Sequence, residues 1–196
     1  MMENQTTEIE RHPNSSELEI LNLAYTRFFS IYGEFILDKF WTLPAEMRLF
    51  KLKNCFEIYA ELLKYKPIKW YVDYLKVHRP PKEGFIASEY FLFIRNVLCH
   101  FPYFCCWNDI FINEKNSSWN GPANSSIQRF IKKYSGLDAV KYRIWDNDKQ
   151  KYTYLDVGFP SLGMDKIFLK DLISEKEGMF FCMILMKNVL ESQIEK

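Results

Sequence analysis

The amino-acid sequence predicts a mostly α-helical fold, a helical bundle into which one β-hairpin is inserted at about residues 140–157. Apolar side chains recur every three or four residues along most of the chain, which is typical of helices that pack on a common core. Glycine is scarce, at 7 of 196 residues, which disfavours a turn-rich β-sandwich. The hydrophobic fraction of 48% and the 17 Phe, 12 Tyr and 5 Trp residues exclude a disordered chain.

The amino-terminal part of the chain begins with a polar stretch. Residues 1–15 are polar and charged, so we expect a flexible lead ahead of a single helical domain at 16–196. The apolar spacing predicts a first helix at about residues 18–41, with Ser15 or Ser16 as its amino-terminal cap.

Prolines divide the next part of the chain. Pro44 suits the first turn of a second helix, predicted at about residues 45–65, and a short aromatic-rich helix follows at about 68–77. The Pro-rich residues 79–84 predict a loop. A further helix is predicted at 84–101, and because its apolar residues occupy more than one side, we expect it to pack on several neighbours.

The carboxyl-terminal half contains a change of period. Residues 140–145 and 152–157 alternate, and the turn residues at 146–149 between them complete a hairpin signal. A lone hairpin is marginal in water, so it is expected to pack on the helices or on a partner. The other predicted elements are a short helix around 107–112 within an irregular stretch at 102–122, a helix at about 125–134, and a closing helix at about 172–194 that is interrupted near Gly178.

Charge and cysteine content limit the classes of function. Lys and Arg total 26 against 25 Asp and Glu, so any nucleic-acid contact would come from a local patch rather than from overall basic charge. The five cysteines are an odd number and residues 1–17 hold no apolar leader, so we expect free thiols and a cytoplasmic location. No apolar run approaches the ~18 residues of a membrane span, so we expect no membrane contact.

The helix predicted at 84–101 carries the pattern Arg-Asn-x-x-x-His, formed by Arg95, Asn96 and His100. The planar guanidinium of Arg suits a phosphate, and His can give or take a proton near neutral pH. Asn96 and His100 are four residues apart and share a helix face, while the long Arg95 side chain can reach the same rim. The pattern predicts a site for a phosphodiester. The residues alone are also compatible with a surface arginine and a terminal histidine that the helix dipole stabilises.

This pattern on a helix of a small helical protein resembles the signature of the HEPN superfamily, in which Arg is followed after four to six residues by His. The specific match covers residues 95–100. The resemblance implies a homodimer in which two copies of the motif face each other across a cleft. It also implies metal-independent RNA cleavage, as in toxin–antitoxin and phage-defence effectors, with tRNA or mRNA as candidate substrates and an antitoxin or regulatory protein as a further partner.

Within the resemblance, His100 is expected to act as general base or acid at the RNA 2′-hydroxyl and the leaving oxygen. Arg95 is expected to hold the scissile phosphate and to stabilise the charge that develops on it. Asn96 is expected to orient His100 or the phosphate. Because some HEPN proteins lack activity, the alternative function is a non-catalytic helical interaction or scaffold protein.

Two further groups of residues bear on ligands. Cys99, His100, Cys105 and Cys106 suggest zinc, but the chain has no C-x-x-C pair and adjacent cysteines are poor joint ligands, so we predict no metal and no cofactor. A second group mixes aromatic and basic side chains that suit single-stranded RNA, although solvated charges on an amphipathic helix and a hairpin are the simpler explanation. The candidate RNA-binding residues are Trp107, Trp119, Arg129, Lys132, Lys133 and Arg143.

Overall fold

The computed structural model describes residues 13–78, 81–101, 103–113, 126–146, 149–161 and 163–191, so most of the predicted lead lies outside the described residues. Within these ranges the chain is mostly α-helical and contains two small antiparallel sheets, which confirms the predicted fold class. The helices are α1 (Ser15–Phe35), α2 (Asp38–Trp41), α3 (Ala45–Leu62), α4 (Lys66–His78), α5 (Pro81–His100), α6 (Ser126–Tyr134), α7 (Leu169–Leu172) and α8 (Glu175–Glu191), with a 3₁₀ turn at Trp107–Asp109. The strands are β1 (Phe111–Ile112), β2 (Val140–Asp146), β3 (Lys151–Val157) and β4 (Ile167–Phe168).

The cap of α1 differs from the prediction. Asn14, rather than Ser15 or Ser16, is the N-cap: its side chain accepts a hydrogen bond from the Glu17 amide, and the Glu17 carboxylate accepts one from the Asn14 amide, both at 2.9 Å. This reciprocal pair is a capping box, which satisfies two amide groups that a helix start otherwise leaves unpaired. The helix also ends at Phe35, and α2 forms a separate turn where the prediction continued one helix to residue 41.

The interruption before the last helix also lies elsewhere than predicted. The chain leaves α7 at Leu172, and α8 begins at Glu175, so the break falls before Gly178. Ser174 explains the new start, because its hydroxyl accepts a hydrogen bond from the Glu177 amide at 3.2 Å and donates to the Glu177 carboxylate at 2.7 Å. Gly178 is therefore a helical residue, and it is buried.

The helix that carries the motif is longer than predicted. It begins at Pro81 instead of residue 84, because proline fits the first turn of a helix, where no amide donor is needed. Residues 81–84 of the predicted loop are therefore helical, and residues 79 and 80 lie outside the described residues. Buried side chains point from α5 in several directions, as predicted, and include Phe91, Ile94, Val97 and Leu98.

The predicted hairpin is confirmed, since β2 pairs with β3 in one antiparallel register from Val140 opposite Val157 to Asp146 opposite Lys151. Its inner face is buried, and Tyr142 packs edge-on against Phe181 of α8, with ring centroids 5.6 Å apart. The second sheet, β1 with β4, was not predicted. Its two-residue strands come from distant parts of the chain, and no local periodicity marks them.

The core is one contiguous cluster of buried side chains, in which the Tyr90 ring of α5 contacts rings from α6 and α8. Tyr90 is 1% exposed, and its hydroxyl has no hydrogen-bond partner among the described residues. Burial accordingly raises the pKa of Tyr90. An unpaired buried hydroxyl opposes folding, because the hydrogen bonds it makes with water in the unfolded chain are lost.

We expect Tyr90→Phe to raise the free energy of unfolding by about 1 kcal/mol, because the change removes only the unpaired hydroxyl. Urea denaturation of both proteins measures the difference. Tyr134→Phe is the matched control, because the Tyr134 hydroxyl donates to the Glu89 carboxylate at 2.5 Å. Its loss should destabilise the protein by roughly 1.5–3 kcal/mol. A lower stability for Tyr90→Phe would contradict the interpretation of an unpaired hydroxyl.

Candidate functional site

The carboxyl-terminal turns of α5 hold the predicted motif. Ile94, Val97 and Leu98 are buried and fix these turns in the core. His100 is the last residue of the helix and is exposed, whereas Arg95 is half-buried. The imidazole therefore lies at the surface on a rigid helix, which is an arrangement that suits proton transfer to a bound ligand.

Arg95 carries an unused hydrogen-bond donor. Its Nε atom is buried and has no partner within the part of the chain that the structure describes. The guanidinium also acts electrostatically on Cys99, one turn further along the helix: burial raises the pKa of the Cys99 thiol, and the Arg95 charge opposes that rise. An unpaired donor inside the protein opposes folding, and the half-exposed guanidinium would have to turn its Nε outward to donate to a phosphate oxygen.

Asn96 joins two helices. Its side-chain nitrogen donates to the hydroxyl of Ser126, the first residue of α6, at 2.5 Å. Because one of the two side-chain N–H groups is already used, the contact supports a positioning role for Asn96, in which it fixes the start of α6 against the motif. The expectation that Asn96 orients His100 stays a prediction.

We expect Asn96→Ala and Ser126→Ala each to lower the free energy of unfolding by about 1 kcal/mol, because each removes one partner of a half-buried hydrogen bond. The double variant should cost less than the sum of the two, since the second change has no bond left to remove. Urea denaturation of the four proteins measures this coupling. Additive losses would show that the two side chains do not act on each other.

The segment after His100 is tied to α3. The Lys53 ammonium donates to the Phe104 carbonyl oxygen at 3.0 Å. Burial lowers the pKa of Lys53, and attraction to Cys105, Cys99 and Glu57 opposes the change. The next residues are anchored by Trp107, which is fully buried and donates from its indole nitrogen to the Ile173 carbonyl oxygen at 3.0 Å.

The structure corrects the RNA-binding prediction at Trp107. A ring with 0% exposure cannot stack on a base, so Trp107 is a core residue that the sequence pattern did not distinguish from a surface aromatic. Trp119 lies outside the described residues. The other four candidates are exposed, and comprise Arg129, Lys132 and Lys133 on α6 and Arg143 on β2.

Two of these exposed cations already have contacts. Lys133 forms an ion pair with Glu89 at 2.8 Å, nearly two turns before Arg95 on α5. Burial alone would raise the pKa of Glu89, but the hydrogen bonds from Lys133 and Tyr134 outweigh it and lower the pKa. The Arg143 guanidinium lies 5.5 Å from the centre of the Tyr152 ring, on the outward face of the hairpin.

The cysteines near the motif are free thiols. Cys105 contacts the Tyr103 carbonyl oxygen at 3.8 Å, and the Cys106 sulfur lies 2.8 Å from an Asp109 carboxylate oxygen. Among the described residues, no three His, Cys, Asp or Glu side chains are arranged to hold a metal ion. The described helices also include none that is long and apolar enough to cross a membrane.

Sequence reasoning missed an aromatic cluster beside His100. Phe101 follows the histidine directly, and its ring centroid lies 5.9 Å from that of Tyr103 and 6.3 Å from that of Phe104. Tyr103 is 66% exposed. The sequence shows three aromatic residues within positions 101–104, but their place in the fold depends on the Lys53 and Trp107 anchors, which are long-range contacts.

Comparison with protein-family models, with curated proteins and with solved structures finds no match to this chain. The likeness to the HEPN superfamily therefore rests on the motif at residues 95–100.

Proposed function

We propose that this chain is a metal-independent endoribonuclease of HEPN type, in which Arg95 binds the scissile phosphate and His100 transfers protons. The observation that carries the proposal is that two groups of suitable chemistry lie on the last two turns of α5. One is a guanidinium whose buried Nε is unpaired among the described residues, and the other is an exposed imidazole five positions later. A cation with a free donor and a proton-transfer group are the two components that phosphodiester cleavage requires.

In the proposed reaction the RNA 2′-hydroxyl oxygen attacks the adjacent phosphorus, and the bond from phosphorus to the 5′-oxygen breaks. One imidazole takes the proton of the 2′-hydroxyl, and a protonated imidazole gives a proton to the leaving 5′-oxygen. The Arg95 guanidinium stabilises the extra negative charge on the non-bridging oxygens. The products are a 2′,3′-cyclic phosphate and a 5′-hydroxyl.

A homodimer follows from this chemistry. One motif supplies one histidine, whereas the two proton transfers are served best by two separate groups. A symmetric dimer that places two α5 ends across a cleft provides the second His100. In this arrangement each copy contributes to the site, and the monomer alone is incomplete.

The proposed setting is that of a toxin or phage-defence effector in the cytoplasm, acting on tRNA or mRNA and controlled by an antitoxin or another regulatory protein. This part rests on the family resemblance alone. It has a direct consequence, since expression of the active chain should slow the growth of a host cell, and the His100→Ala chain should not.

A second function is favoured by a different surface. Large apolar side chains on α1 and α3 are exposed, with Ile20 at 64%, Leu23 at 66% and Phe50 at 63%. The two helices are linked at the surface by an ion pair between Lys51 and Glu34 at 2.8 Å. Ile20 and Leu23 are three residues apart and share a face of α1. Adjoining exposed apolar side chains mark protein interaction sites, so the alternative is a non-catalytic helical interaction protein.

The test is incubation of the purified chain with a broad panel of RNAs in EDTA, followed by analysis of the product ends. Cyclic phosphate and 5′-hydroxyl ends support the nuclease, and 2′-O-methyl RNA of the same sequence should remain uncut because its nucleophile is blocked. If no RNA in the panel is cleaved by a folded, dimeric chain, the interaction protein is the better interpretation.

A further inference from the structure

A continuous strip of half-exposed and exposed aromatic rings begins at Phe101, the residue after His100. Its links have centroid distances of 4.8 Å between Tyr103 and Phe104, 5.5 Å between Phe104 and Phe111, and 5.6 Å between Phe111 and Phe168. Phe101 lies at the start of the strip, 5.9 Å from Tyr103 between ring centroids. We call these five rings, together with Lys166 and Lys170, the aromatic-lysine surface.

The small sheet of β1 and β4 explains why two of these rings point outward. Phe111 pairs with Phe168, and Ile112 pairs with Ile167. Neighbouring residues of a strand face opposite sides, so the two buried isoleucines, both 2% exposed, turn the phenylalanines towards the surface. The two rings are half-buried and pack on each other, which lowers the entropy cost of contact with a ligand.

Two lysines cover this surface. The Lys166 ammonium lies 4.7 Å from the centre of the Phe111 ring, and the Lys170 ammonium lies 5.1 Å from that of Phe168. Both side chains are exposed and flexible, so they can move from the rings to a ligand. Tyr103 is the most exposed ring of the strip and lies three residues from His100.

We propose that the aromatic-lysine surface binds unpaired bases of single-stranded RNA beside the phosphodiester that His100 acts on. This inference rests on the proposed function and specifies its substrate class. Aromatic rings stack on bases of any sequence, and lysines contact the intervening phosphates. Lysines above the rings favour a polyanion over an apolar protein partner. Three residues of chain span at most about 11 Å, so a base stacked on Tyr103 would belong to the same short stretch of RNA as the phosphate at His100.

The test uses the full-length protein and a short single-stranded 2′-O-methyl RNA, which reports binding without cleavage. Tyr103→Ala should weaken binding by about 5- to 150-fold, whereas Tyr103→Phe, which keeps the ring, should stay within about twofold of the wild type. Tyr154→Ala is the matched control, because Tyr154 is 63% exposed on the outward face of the hairpin. Its affinity should be unchanged. Duplex RNA of the same sequence should compete poorly, because its bases are already paired.

The salt dependence of RNA affinity tests the role of Lys166 and Lys170 separately from that of the rings. Replacing Lys166 and Lys170 together with Gln should reduce the slope of log affinity against log salt concentration by about 1.4, which corresponds to two lost phosphate contacts on a single strand. The matched control replaces Lys39 and Lys69, two exposed lysines on α2 and α4, with Gln. This control should keep the wild-type slope.

The inference is overturned if Tyr103→Ala binds as tightly as Tyr154→Ala, or if the Lys166/Lys170 variant keeps the wild-type salt slope. A change in the oligomeric state of either variant without a change in its RNA affinity also overturns the inference, since the surface would then contact a second copy of the chain. Binding and cleavage fail separately. If binding depends on Tyr103 but the chain cuts no RNA, the binding surface is supported and the nuclease function is contradicted. If the chain cuts RNA but Tyr103→Ala binds RNA as tightly as the wild type, the nuclease function is supported and the binding surface is contradicted.

Discussion

His100→Ala should reduce RNA cleavage in EDTA by about 10²- to 10⁴-fold, the range over which a positioned proton-transfer group accelerates reactions. The change should leave the fold intact, because His100 is exposed at the end of α5. Arg95→Ala should cost about 10²- to 10³-fold through the loss of charge stabilisation. Arg95→Lys should recover only part of this loss, since lysine keeps the charge but cannot offer two parallel donors to a phosphate.

Cys99→Ala is the matched control for this prediction. Cys99 adjoins His100 on the same helical turn and is also exposed, so the two substitutions disturb the local structure to a similar degree. Cleavage by Cys99→Ala should stay close to the wild type. Equal losses for Cys99→Ala and His100→Ala would assign the effect to structure, and full cleavage by His100→Ala would place the chemistry at another site.

A mixing experiment separates a two-histidine site from a one-histidine site. When wild-type and His100→Ala chains are unfolded together and refolded, the subunits distribute at random between dimers. If each cleft needs both copies of His100, activity should fall as the square of the wild-type fraction. A linear fall would mean that each subunit cleaves with its own histidine, and it would contradict the composite site while leaving the nuclease in place.

The sequence predicts those elements of the fold that local spacing specifies. The hairpin is an example, because alternation and turn residues are both contained in residues 140–157, and its register matches them. The helix starts were predicted less well. At α1 two serines and an asparagine compete as caps, and the choice of Asn14 depends on the geometry that lets Glu17 reach back.

The candidate site was predicted in its motif but not in its surroundings. The spacing from Arg95 to His100 can be read along one helix. The hydrogen bond from Asn96 to Ser126, in contrast, joins residues that are 30 positions apart in the sequence. The strip that includes Phe111 and Phe168 needs the pairing of β1 with β4. The burial of Trp107 could not be predicted either, because it depends on Ile173 and Gly178, which lie far along the chain. For this reason the sequence pattern wrongly predicts Trp107 as an RNA-binding residue.

Gly178→Ala should destabilise the protein more than an ordinary helix substitution. A Cβ atom at Gly178 would lie 2.2 Å from the Cζ2 atom and 2.5 Å from the Cη2 atom of Trp107, well inside van der Waals contact. The indole cannot move aside easily, because it is fully buried and its nitrogen is bonded to the Ile173 carbonyl oxygen. Overpacking costs up to about 3 kcal/mol and the better helix propensity of alanine offsets about 1 kcal/mol, so we expect a net loss of about 2 kcal/mol in the free energy of unfolding.

Gly33→Ala is the matched control, since Gly33 is also helical but a Cβ atom there would meet nothing within 4 Å. It should stabilise the protein by about 0.5–1 kcal/mol, because only the propensity gain remains.

Adding Trp107→Phe to Gly178→Ala should recover part of the loss, since the smaller ring vacates space that the new methyl group needs. Because Trp107 anchors the segment after His100, Gly178→Ala should also reduce RNA cleavage, whereas Gly33→Ala should not. Equal stabilities of the two single variants would show that α8 and the indole are not packed as closely as these distances require.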